Sequence, residues 1–165
     1  MIKTSIARKV AMALSGLFLI LFLGQHFTIN ITSVFSEKTF NMLSHFMGNN
    51  PLVQFVLQPI LIFGVVFHFV MGFVLDIKNR KSRSEKYISF KGSANASWVS
   101  RNMIFSGIVV LSFLGLHLFH GFSSSFQSVG FNNKYTTGIR WLTVSFSILI
   151  PIGFIFIAMF HHLNG

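Results

Sequence analysis

Cysteine is absent from the 165 residues, which removes disulfides, thiolate metal sites, iron–sulfur clusters and cysteine nucleophiles together. Acids are nearly absent as well. Glu37, Asp76 and Glu85 are the only three, so no carboxylate pair is available for acid–base chemistry. Charged residues make up 10% of the chain, against roughly 25% in an ordinary soluble domain. With 52% hydrophobic residues and 22 Phe, the chain could not cover itself with polar surface. Composition therefore excludes a soluble globular enzyme and a disordered tail, and points to an integral membrane protein.

A spanning helix needs about 20 predominantly apolar residues. Four stretches meet that length, at about 10–31, 52–75, 103–122 and 141–161. The expected fold is all-α, a four-span transmembrane bundle forming a single domain over 1–165. Lys3, Arg8 and Lys9 precede the first apolar run, as in a signal peptide. That run is longer than a secretory core and lacks a clear cleavage pattern, so it is expected to stay as a helix. Residues 36–50 read as a short interfacial element, ended by Asn49, Asn50 and Pro51.

The net charge of +10 would suit a nucleic-acid partner, but its placement argues for topology instead. Lys3, Arg8 and Lys9 precede the first span. Lys78, Arg80, Lys81, Arg83, Lys86, Lys91 and Arg101 fall between the second and third, leaving only Lys38, Lys134 and Arg140 elsewhere. The positive-inside rule then puts the N-terminus and the second loop in the cytoplasm, with spans alternating in direction. A nucleic-acid role is not expected. Trp98 and Trp141 flank spans, as interfacial anchors do.

Ionisable residues inside a bilayer are costly and are functional by default. Four of the seven histidines fall there: His26, His68, His117 and His120. One such residue would be satisfied by a backbone carbonyl or by snorkelling. Four over three helices, with no acid to complete a proton relay, suit haem ligation, where two neutral imidazoles clamp an iron between helices. Structural zinc would want a Cys or carboxylate that the spans lack. Gly64, His68 and Gly72 share one helix face, leaving either a slot for a flat macrocycle or a small-residue packing stripe. His45 reads as a surface residue, and His161 and His162 as snorkelling tips.

These residues sit in longer motifs that resemble a known family. Residues 5–16 (SIARKVAMALSG), Gln25-His26-Phe27, Phe67-His68-Phe69, residues 97–103 (SWVSRNM), residues 117–122 (HLFHGF) and residues 126–131 (FQSVGF) are similar to the single-subunit cytochrome b of succinate dehydrogenase and fumarate reductase, of the type found in Bacteroidetes-like bacteria. The resemblance covers nearly the whole chain. It implies a membrane-anchor subunit in the bacterial inner membrane, binding haem b (two in the family, one or two here) and passing electrons to menaquinone. It also implies flavoprotein and iron–sulfur partner subunits on the cytoplasmic face, with succinate oxidised by those partners and not by this chain. His26 would ligate the outer haem, and His68 the inner one opposite His120. Arg8, Lys9, Ser100 and Arg101, at inner helix ends, would meet haem propionates or the iron–sulfur subunit, or simply anchor the chain. Gln25, Asn30, Gln54 and Gln58 are the candidate quinone contacts.

The chain departs from that family in having four spans where members have five, as if the start of the third family helix were joined to the end of the fourth. With alternating spans, a rise of 1.5 Å per residue puts His26 and His117 roughly 24 and 21 Å from the inner face, and His68 roughly 10 Å from it. His26 and His117 then match in depth, while nothing on the third helix matches His68. In the family the 126–135 stretch is cytoplasmic, so either the third span enters opposite to its charge prediction or the inner haem is lost. Two alternatives remain: a haem-free anchor of the same complex, and a small four-helix transporter. The transporter would be expected to carry an intramembrane acid or paired broken helices.

Overall fold

The computed structural model describes residues 5–81, 103–131 and 136–164. Trp98, Ser100, Arg101 and Lys134 lie outside the described residues. Helix α1 (Ser5–Phe35) is followed by the short α2 (Glu37–Asn49), then α3 (Gln58–Lys81), α4 (Met103–Ser128) and α5 (Thr136–Asn164). Four stretches are long and apolar enough to cross a bilayer: Ile6–Phe35, Val53–Lys78, Gly107–Ser128 and Thr136–Asn164. The protein is an all-α, multi-pass membrane bundle.

Local sequence sets the breaks. Ser36 takes an extended backbone and its hydroxyl accepts from the Thr39 N–H, so it ends the reach of α1 and caps α2. Asn50 closes α2, its Oδ1 accepting from the Leu52 N–H at 2.9 Å. Pro59 has no N–H to give. The turn just before it, Val53–Leu57, is π-helical, with the Gln58 N–H reaching back to the Val53 carbonyl. Such a bulge absorbs the lost donor without ending the helix.

The interior is small and partly polar, and the exterior is apolar. Ala13, Leu118, Phe122 and Ile150 are buried, as are Ser125, Thr143 and Ser147, with Thr143 at 1% exposure. Phe63 and Leu149 are 70% and 63% exposed. Water would punish that arrangement, but hydrocarbon does not, and helices in lipid cohere through close packing of small residues. The buried hydroxyls bond back along their own helix, Ser147 to the Thr143 carbonyl at 2.6 Å and Thr143 to the Arg140 carbonyl at 2.9 Å.

Contacts fix the helix directions. Ser15 meets His68, while Gly64 faces Phe18 and Gly72 faces Met12, so α3 runs antiparallel to α1. Gly24 faces Phe146, Phe27 faces Gly153 and Ser33 bonds His161, so α5 runs parallel to α1. Phe122 meets Phe146 and Gly115 meets Ser147 and Pro151, so α4 is antiparallel to α5 and hence to α1. This corrects the alternating topology. Relative to α1, the α4–α5 pair is turned over: Ser128 lines the same cavity as Lys9, and His161 lies beside Ser33. Arg140, which alternation leaves on the far face, shares a cavity wall with Gln127 and Phe131 at the basic end where α1 begins.

Pro151 is the tightest point of the α4–α5 contact. It cannot donate to the Ser147 carbonyl, and Gly115 lies against both. A Cβ at Gly115 would come 3.2 Å from that carbonyl oxygen and 3.3 Å from the Pro151 ring. Gly115→Ala is expected to cost about 1 kcal/mol or more through overpacking against backbone. Gly138→Ala, in open space on α5, should be neutral or stabilising. Thermal unfolding in detergent compares the two.

Candidate functional site

Helices α1, α3 and α4 line an open cleft of about 450 Å³ whose walls include Met12, Gly16, His68, His117, Gly121 and Ser125, with His68 half-buried and His117 exposed. The two imidazoles are neighbours in it, ring centres 6.1 Å apart and planes at 89°, an edge-type arrangement. Both helices run the same way, so depth is counted from their common end. His68 lies 13 residues before Lys81 and His117 lies 11 before Ser128, about 20 and 16 Å respectively. The depth match of His26 with His117 is thereby overturned. Counting His117 from Met103 assumed a span entering from the basic face, whereas α4 ends there.

His68 is held from behind. Its Nδ1 is 3.0 Å from the Ser15 hydroxyl, and the same hydroxyl donates to the Met12 carbonyl at 2.9 Å. Gly16 makes room for the ring, since a Cβ there would sit 3.1 Å from His68 Cε1. Gly121, one turn beyond His117, faces open space, with nothing within 4 Å of an added Cβ. Polar groups gather toward one end of the cavity, where Lys9, Ser124 and Ser128 contribute to the wall.

The glycine stripe around His68 serves packing. A Cβ on Gly64 would meet Phe18 Cε1 at 2.9 Å, and one on Gly72 would meet Met12 Cε at 3.5 Å. Both glycines therefore let α3 approach α1, and the room beside the imidazoles comes from Gly16 and Gly121. Gly16 and Ser15 stood in the sequence only within a motif; nothing in their own spacing marked them.

The other candidates are elsewhere. His120 is exposed, edge-on to Phe119 at 5.4 Å, and lines a separate cavity with Arg140 and Thr143. It does not oppose His68. His26 is flanked by Phe22 at 5.7 Å and Phe154 at 5.9 Å, with no imidazole in ring contact among the described residues. His45 pairs with Asn49 at 3.0 Å and His161 with Ser33 at 2.8 Å. Gln25 reaches the Met47 sulfur, Asn30 the His26 carbonyl and Gln54 the Gly48 carbonyl, so these three amides bond to local partners and form no common site.

A metal held between two coaxial imidazoles by bonds of about 2.0–2.1 Å puts their ring centres roughly 6.3 Å apart. The His68–His117 separation fits that span. The cavity volume also falls within the roughly 300–1,000 Å³ of cofactor pockets. Zinc would need further ligands, and among the described residues no cluster of three histidines or acids exists. Two neighbouring imidazoles lining one cavity would suit an iron whose other ligands come from a macrocycle. Comparison with known protein families, curated proteins and solved structures gives no match, so what this cleft binds is argued from its own geometry.

Proposed function

We propose that the chain is a haem b-binding membrane anchor of a succinate:quinone oxidoreductase in a bacterial inner membrane. The observation that carries the reading is the His68–His117 pair, 6.1 Å apart across a cavity of about 450 Å³. His68 and His117 would be the axial ligands, with Gly16 and Gly121 leaving the lateral room. Lys9 and the serines at 124 and 128 would meet the propionates at the basic end of the cleft. Haem held by His68 and His117 would supply one-electron redox chemistry. Sequence motifs support the assignment of the flavoprotein and iron–sulfur subunits as cytoplasmic partners, and of menaquinone as the electron acceptor. The basic end of the bundle, with Arg8, Lys9, Lys78 and Arg140, gives those partners a charged face to dock on.

The described residues bring one pair of histidines together across a cavity, His68 and His117. The expected result is therefore one b haem per chain, by pyridine haemochrome assay and reduced-minus-oxidised spectra on the purified protein. His26→Ala should leave that ratio and the spectrum unchanged. Two haems per chain would give His26 a partner and overturn the single-site reading. Absence of haem from protein produced in a haem-replete host would leave a bare anchor and remove the electron-transfer role.

A further inference from the structure

We infer that Ser15 is a positioning residue that sets the tautomer of His68 and so prepares it as a ligand. The inference rests on the haem reading for its purpose, although the tautomer itself does not. A serine hydroxyl has one proton and two lone pairs. At Ser15 that proton goes to the Met12 carbonyl, 2.9 Å away, a group that can only accept. The hydroxyl oxygen then meets His68 Nδ1, 3.0 Å away, as an acceptor. With the Ser15 oxygen as its acceptor, Nδ1 carries the proton, and Nε2 is left with its lone pair for a ligand in the cleft.

Among the described residues no other side-chain hydroxyl is bonded to that nitrogen: Gly16 has no side chain to offer, and the Ser125 hydroxyl is engaged with the Gly121 carbonyl at 2.9 Å. Ser15 lies about a third of the way along the spanning stretch Ile6–Phe35 and is half-buried, where an unpaired hydroxyl would be costly. Its two bonds therefore close a short chain, from the His68 ring through Ser15 to the α1 backbone. Metal-bound histidines are generally oriented by such a partner on the second nitrogen, and losing it typically lowers affinity 10- to 100-fold. A ligand whose N–H is hydrogen-bonded is also more electron-donating, which favours the oxidised metal.

Full-length protein labelled with ¹⁵N-histidine tests this in two forms. In the haem-free form, nitrogen spectra should show the His68 proton on Nδ1 in the wild type and in Ser15→Thr, and a shifted tautomer balance in Ser15→Ala. In the haem-loaded form, Ser15→Ala should weaken haem affinity about tenfold or more and raise the midpoint potential, with Ser15→Thr close to wild type. A wild-type His68 protonated on Nε2 overturns the inference. So does a Ser15→Ala protein with unchanged tautomer or unchanged affinity. If the wild type takes up no haem, the proposed function fails and the spectra of the haem-free form alone decide the role of Ser15.

Discussion

His68→Ala and His117→Ala are each expected to abolish the b-type absorption of the purified protein, while His26→Ala and His120→Ala retain it. The asymmetry follows from position. The first two rings are neighbours in one cavity, 6.1 Å apart. His120 lines a different cavity, and the ring neighbours of His26 among the described residues are Phe22 and Phe154. Loss of an axial ligand should exceed the 10- to 100-fold drop in affinity typical of outer-shell changes. His68→Gly with added imidazole should recover part of the absorption, because the small molecule can refill the space and the coordination position. That recovery separates a lost ligand from a lost fold. Equal loss of haem from His120→Ala, with the helix content intact, would move the site to the other cavity.

The second large effect concerns direction. A single cysteine at Gln127 should react with a membrane-impermeant maleimide from the same face as one at Ile6, and a cysteine at Asn164 from the same face as one at Lys38. The chain has no native cysteine, so each label reports one position, and opposite vesicle orientations give opposite all-or-none results. Strict alternation of four spans predicts the reverse for both Gln127 and Asn164. The packing of Gly115 on Pro151, of Phe27 on Gly153 and of His68 on His117 is made together only in the turned-over arrangement. Labelling of Gln127 from the Lys38 face would separate His68 from His117 and remove the site.

The two predictions mark where sequence reasoning held and where it stopped. The spans were legible because hydrocarbon imposes a length and a polarity on every crossing. The element between the first two spans was legible because Ser36 and Pro51 are local stop and start signals. His68 stood out because an imidazole in lipid needs a reason. Its partner did not, because depth depends on direction, and loop charge records direction only where successive spans alternate. Nor did Ser15, whose importance is a distance between residues 53 apart in the chain. Gly64 and Gly72 were ambiguous for a related reason. A glycine stripe states that something approaches closely, and only the fold says whether that is a helix or a ligand; here Phe18 and Met12 occupy both positions.

Helices α3 and α4 each pack on α1, yet their backbones do not pack on one another among the described residues. Among the described residues, the cleft between them has α1 as its back wall and opens toward the side of the bundle, between two spanning helices. Anything that enters would arrive sideways through the lipid, and its concentration at the mouth would be set by how well it partitions into the membrane. Uptake should then follow lipid phase and acyl-chain order more closely than the aqueous concentration of the molecule.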